Sequence, residues 1–146
     1  MTVYIATDHA GLALKNYSKD YLTDQGYDVV DLGPENTKRV DYPDYADKVC
    51  QAVLNNNNAY GILICGTGIG MSMAANKHKG IRAGLCHDSY TATMARQHNN
   101  ANVLCFGERV VGYGVAQSIM DAWNGANFEG GRHSGRIEKI NNIEKK

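Results

Sequence analysis

The sequence predicts an α/β protein: one three-layer α/β/α domain around a five-stranded parallel sheet. Segments of strand length alternate with segments of helical periodicity along the whole chain, and repeated β-α units demand parallel strands joined by right-handed crossovers. The run Gly61-Ile62-Leu63-Ile64-Cys65 is apolar after its first glycine, as expected of a strand covered on both faces. The 146 residues contain no linker and no internal repeat, so a single core is expected.

The first strand is Val3–Ala6, built from β-branched and aromatic side chains. Leu12–Thr23 follows as a helix with Leu14, Tyr17, Tyr21 and Leu22 as its apolar positions. Tyr27–Asp31 is the second strand, closed by Gly33-Pro34. A polar loop with Asp41-Tyr42-Pro43-Asp44 leads into a helix over Tyr45–Leu54. Asn55–Asn58 ends it, since asparagine favours turns and helix stops. The third strand, Gly61–Cys65, runs into a glycine loop and a short helix over Met71–Lys77. Ile81–Cys86 is the fourth strand, Ser89–Gln97 the next helix and Asn102–Phe106 the fifth strand. Gly112–Trp123 is helical, a glycine-rich segment follows, and Ile137–Ile143 forms a last, charged helix.

Fifteen basic and 15 acidic residues cancel, which offers no bulk charge for nucleic acid or an anionic membrane. No apolar run reaches spanning length. Met1–Asp8 has no basic segment and meets an aspartate early, so no signal peptide is expected and the cytoplasm is the expected location. The cysteines, Cys50, Cys65, Cys86 and Cys105, form no C-x-x-C pair, which argues against zinc ribbons and thioredoxin chemistry. Cys50, Cys86 and Cys105 fall inside elements and read as small core residues.

Cys65 differs by position. It ends a buried strand and is followed at once by Gly66, Thr67, Gly68, Ile69 and Gly70. Glycines let the backbone come close to a ligand and turn its amides toward an anion, and amides near sulfur favour the thiolate. In open α/β sheets ligands sit at the carboxyl ends of the strands. A dinucleotide site would need G-x-G-x-x-G, but the third position is Met71, although Asp88 keeps the acidic half of that pattern about 20 residues on. A Walker loop would end in G-K-[ST], which is absent. A cysteine phosphatase loop would carry arginine where Met71 stands. What remains is a cysteine acting as base or nucleophile on something already phosphorylated.

Other polar groups fall at the ends of elements. Asp8 and His9 follow the first strand, and Asp8 would also suit the N-cap of the first helix. His98-Asn99-Asn100 precedes the fifth strand, and Gly107-Glu108-Arg109 follows it. Gly130-Gly131-Arg132-His133-Ser134-Gly135-Arg136 sets two arginines four apart beside flexible backbone, a solvated face or a bidentate phosphate clamp. His78 and His87 receive no role.

These motifs together carry a family resemblance. Asp8-His9-Ala10-Gly11, Asp41-Tyr42-Pro43, Cys65-Gly66-Thr67-Gly68-Ile69-Gly70, Arg96-Gln97-His98-Asn99, Gly107-Glu108-Arg109 and Glu129-Gly130-Gly131-Arg132-His133 are far more specific than any lone glycine loop. From Val3 to about Ile140 the chain resembles the B-type ribose-5-phosphate isomerases of the ribose/galactose isomerase superfamily. The resemblance implies a Rossmann-like sheet in the order 2-1-3-5-4. It also implies interconversion of ribose 5-phosphate and ribulose 5-phosphate in the pentose phosphate pathway, without metal or cofactor. Cys65 would move the proton between C2 and C1, and Thr67 with the amides from Gly66 through Gly68 and Ile69 to Gly70 would stabilise the ene-diolate. His98 would open the sugar ring, with Asp8 near the ring hydroxyls. His9, Arg109, Arg132 and Arg136 would hold the phosphate, and Asn99 and Tyr42 would touch the sugar.

The same resemblance implies a homodimer with shared sites, or a dimer of dimers. In it Cys65 and its loop would face His98, Asn99 and Arg109 of the partner. Two other readings use the same fold: an isomerase of allose or galactose 6-phosphate, and a non-catalytic sugar-phosphate sensor. The sensor would need neither Cys65 nor His98.

Overall fold

A computed structural model describes all 146 residues. Five strands and six helices follow one another as β1 (Thr2–Thr7), α1 (Leu12–Asp24), β2 (Asp28–Asp31), α2 (Tyr42–Leu54), β3 (Ala59–Cys65) and α3 (Ile69–Ala75). They continue as β4 (Ala83–Leu85), α4 (Ser89–Gln97), β5 (Val103–Gly107), α5 (Tyr113–Gly125) and α6 (Arg132–Ile143). The strands pair in parallel in the order β2-β1-β3-β5-β4, the expected order.

Side-chain alternation along the strands divides the core into two layers. Val3, Ile5, Ile62, Ile64, Leu104 and Phe106 meet α1, α4 and α5 on one face. Ala6, Leu63, Cys65, Val103 and Cys105 meet α2 and α3 on the other. Each large aliphatic side chain fully buried in this way stabilises the fold by about 1.5–3 kcal/mol. No helix is long and apolar enough to cross a membrane.

Several boundaries move from their expected positions. α2 starts at Tyr42, a turn before Tyr45, because Pro43 sits in its first turn, where proline's fixed φ suits a helix and its missing N–H costs nothing. α3 starts at Ile69 instead of Met71, and Gly68 caps it at φ +80°. β4 contracts to the three residues that pair with β5, leaving Ile81 and Cys86 outside the ladder. α6 starts at Arg132, five residues before Ile137, so Arg132 and Arg136 stand on its first turns and not on flexible backbone.

Helix α1 is capped from a distance. Its N-cap is Gly11, which has no side chain to offer, and Glu108 beyond β5 accepts from the Leu14 N–H at 2.7 Å. Asp8 therefore does not cap the helix; its Oδ1 accepts from the Ala10 N–H at 2.8 Å and closes the turn before it. Asp88 caps α4, with Oδ1 accepting from the Thr91 N–H at 2.7 Å in a reciprocal capping box. That role accounts for the residue a dinucleotide site would have required.

Candidate active site

β1 has β2 on one side and β3 on the other, and the helices that follow β1 and β2 cover opposite faces of the sheet. Chain direction across the sheet thus reverses between β1 and β3, and a crevice opens at their carboxyl ends. A cleft of about 490 Å³ lies there, lined by Asp8, His9 and Tyr42, by Cys65, Gly66, Thr67, Ile69 and Gly70, and by Arg109. Ala10 and Met73 also reach it, which the motifs did not anticipate.

The backbone around Cys65 is tightly constrained. Cys65 pairs with Gly107 across β3 and β5. The Glu108 and Arg109 amides donate to the Cys65 and Gly66 carbonyls, each at 3.0 Å, so the segment after β5 is laced onto the glycine loop. A Cβ on Gly107 would stand 2.4 Å from the Thr67 carbonyl carbon, and this close approach requires glycine. The Gly68 N–H donates to Cys65 Sγ at 3.1 Å, and the Ile69 N–H donates to Thr67 Oγ1 at 3.2 Å. The amides of Gly66, Thr67 and Gly70 donate to no other group of the chain. Three free N–H groups beside a nearly buried sulfur make an anion cradle.

The other lining groups are held in turn. The Val40 N–H donates to His9 Nδ1 at 3.3 Å, which leaves Nε2 of the neutral ring as a donor. The Tyr42 ring covers Gly70 so closely that a Cβ there would come within 2.6 Å of it. Arg109 reaches within 3.5 Å of the Cβ position of Gly66 and pairs with no carboxylate. Arg109 therefore lies with Cys65 of its own chain, which departs from the expectation that it accompanies His98.

All four thiols are buried, and three of them sit away from the cleft. All four are free. Burial pushes the Cys50 thiol up to about 12 and the Cys86 thiol to about 11, and it holds Cys105 well above its ordinary value. Those three are inert core residues, as their positions within elements suggested.

His98, Asn99, Arg132 and Arg136 do not join this cleft within the chain. His98 is the C-cap of α4, a crossover helix antiparallel to the strands it joins, so it stands near the start of β5. Cys65 lies beside Gly107 at that strand's finish. One strand length separates the two ends, about 13 Å at 3.3 Å per residue.

At the far end a second group assembles. His98 stacks on His133 with ring centroids 4.2 Å apart, and Glu129 Oε1 lies 3.4 Å from His98 Nε2. The Glu129 N–H donates to the Gln97 carbonyl at 3.0 Å, tying the α6 approach to the end of α4. Burial first, and then the charge of His98 and Arg132, holds the His133 imidazole below its ordinary value. Asn99, Arg132 and Arg136 are exposed, and neither arginine pairs with a carboxylate. Glu129 and His133 fall in one of the motifs that carry the resemblance, but neither has a role there, and the packing of His133 on His98 is not foreseen from it.

The chain thus carries two separate clusters. One has a cysteine in an amide cradle with Asp8, His9 and Arg109; the other has two stacked imidazoles near two arginines that pair with no carboxylate.

A sequence model of the Ribose/Galactose Isomerase family matches residues 3–140. Ribose-5-phosphate isomerase B of Escherichia coli (strain K12) is 50% identical over 139 residues, covering 95% of this chain and 93% of that protein. The solved structure of Clostridium thermocellum ribose-5-phosphate isomerase B superposes with a TM-score of 0.97 at 50% identity, covering 99% of this chain and 98% of that one. Ribose-5-phosphate isomerase B of Mycoplasma genitalium, solved with bound ribulose-5-phosphate, gives a TM-score of 0.95 at 48% identity, covering 99% and 97%. The chain belongs to the ribose/galactose isomerase family, among its B-type ribose-5-phosphate isomerases.

Proposed function

We propose that this protein interconverts D-ribose 5-phosphate and D-ribulose 5-phosphate, in a site completed by two copies of the chain. The observation that carries the reading is Cys65 at the mouth of a cleft, with three unpaired amides and Thr67 beside it. The unpaired Arg132 and Arg136 near His98 support a phosphate clamp, and the strand length between the two clusters supports a partner as the source of one of them.

His98 opens the furanose by moving a proton between the anomeric hydroxyl and the ring oxygen, while Asp8 accepts from the ring hydroxyls. His9, Arg109, Arg132 and Arg136 hold the phosphate dianion, and Asn99 and Tyr42 bracket the open chain. This binding energy fixes C1 and C2 against the sulfur. The Cys65 thiolate removes the C2 proton, and negative charge spreads onto the oxygens of an ene-diolate. The free amides of Gly66, Thr67 and Gly70 and the Thr67 hydroxyl donate to that charge as it develops, usually the largest contribution to such catalysis. The thiol returns the proton at C1 while the C2 hydroxyl proton passes to the C1 oxygen, so C2 becomes the ketone and C1 the alcohol. No metal or cofactor is needed for this balance.

The test is a parallel assay of the purified protein with ribose 5-phosphate, allose 6-phosphate and galactose 6-phosphate. Turnover of the pentose at a kcat/KM at least about tenfold above both hexoses is expected, a margin within what pocket shape supplies. Preference for either hexose phosphate would replace the pentose reading, and binding without turnover of any of the three would make the protein a sensor.

A further inference from the structure

His98, Glu129 and His133 lie outside the Cys65 cleft of their own chain and offer three donor atoms within 4.8 Å of one another. Glu129 Oε1 is 3.4 Å from His98 Nε2 and 3.9 Å from His133 Nε2. In a tetrahedral zinc site with bonds of about 2.0–2.1 Å, neighbouring donors stand about 3.3–3.4 Å apart. Of the three edges, His98–Glu129 already has that length, and the edge between the two imidazoles is no longer than 4.8 Å. The Glu129–His133 edge needs a closure of about half an ångström, and the imidazoles, stacked with centroids 4.2 Å apart, must tilt out of parallel to converge on one ion.

The three ligands come from segments that are already tied together. His98 ends α4, His133 lies in the first turn of α6, and the Glu129 amide is bonded to the Gln97 carbonyl at 3.0 Å. Neither imidazole hydrogen-bonds elsewhere in the chain, so both Nε2 atoms are free to turn toward the carboxylate. Arg132 and Arg136 put positive charge nearby, which weakens binding of any divalent cation, so the choice of metal rests on the donor atoms. Two imidazoles and one carboxylate select a zinc-class transition metal.

We propose that His98, Glu129 and His133 form a binding site for zinc-class divalent metals, whose occupation takes His98 out of ring opening and inhibits the enzyme. A metal on Nε2 occupies the lone pair that would carry the proton. The inhibitory half of the proposal rests on the isomerase reading; the binding half does not.

Calorimetric titration of the full chain with Zn²⁺ alone should show one site per chain. Co²⁺ in its place should give the visible bands of four- or five-coordinate cobalt. Glu129→Gln, at an exposed residue whose loss leaves the fold intact, and His133→Asn should each weaken binding by about tenfold or more, whereas Cys65→Ser should leave it unchanged. Binding that survives both changes, or that is lost in Cys65→Ser, would overturn the site. In the ribose 5-phosphate assay, Zn²⁺ should inhibit, EDTA should restore activity, and Glu129→Gln should be less sensitive by the same factor. Zinc bound through these residues with turnover unaffected would overturn the inhibition. Absence of any turnover would refute the isomerase reading while the titrations still decide the site.

Discussion

Four cysteines share one chain, and their surroundings give them different chemistry. Cys50, Cys86 and Cys105 are raised by burial, whereas Cys65 ends a strand with an amide of the glycine loop on its sulfur. On the proposed mechanism, replacing Cys65 with alanine removes an interaction made in the transition state and leaves the phosphate contacts alone. Turnover should fall below a few per cent of wild type while calorimetric binding of ribose 5-phosphate persists; turnover above that level would disprove Cys65 as the base. Arg136 tests the opposite partition. On the same mechanism Arg136→Ala removes a charge-assisted phosphate contact worth roughly 1.5–3 kcal/mol, so kcat/KM should drop about 10- to 150-fold on the phosphorylated sugar. Slow turnover of free ribose should hardly change, and an equal loss on both substrates would make Arg136 structural. Cys65 was legible in the sequence because its signal is local, an apolar run meeting three glycines. Glu108 and Glu129 were not: one caps a helix 94 residues away in sequence and the other meets His98 only through tertiary packing.

Lys15 shows how elements are fastened below the site. It lies on the first helix, is fully buried, and donates to Asp31 at 2.9 Å and to the Pro34 carbonyl at 2.7 Å. Burial alone would raise the Asp31 carboxyl, but the Lys15 hydrogen bond, the Gly33 amide and the charges of Lys15 and Lys19 hold it below its ordinary 3.8. A depressed folded value means the pair stabilises the protein above about pH 4 and is lost as pH falls through the lower folded value. Lys15→Met leaves that carboxylate without its cation. The cost should be about 2–3 kcal/mol, below the range for a sealed pair because Asp31 retains 17% side-chain exposure. Urea unfolding at pH 7 and pH 3 checks both points: the variant should be clearly weaker at pH 7 and should lose less on acidification than wild type. The sequence could not reveal this pair, since lysine on a helix reads as solvent-facing. The shifted helix starts have equally physical causes. Pro43 breaks a helix interior but suits a first turn, and the glycines around Arg132 lower helical propensity in a segment that is nevertheless helical, with His133 stacked on His98 at the end of α4.

For the molecule as a whole, the distance between the two clusters becomes a statement about assembly. A parallel sheet keeps the ends of its strands apart, so residues after β3 and residues before β5 cannot meet within one chain. In the proposed dimer, a two-fold axis would set the Cys65 cleft of one copy against the His98 end of another and produce two reciprocal sites. Cys65→Ala and His98→Ala homodimers should each be nearly inactive. When the two are unfolded and refolded together, random pairing makes about half of the dimers mixed. Each mixed dimer then holds one site with both lesions and one with neither, so activity should recover to roughly a quarter of wild type. Native mass spectrometry measures the mixed fraction in the same samples. Full mixing without recovered activity would mean that each site draws both residues from a single chain. That outcome would require a rearrangement of the sheet edges that brings the start of β5 to its finish, and it would remove the shared site from the mechanism.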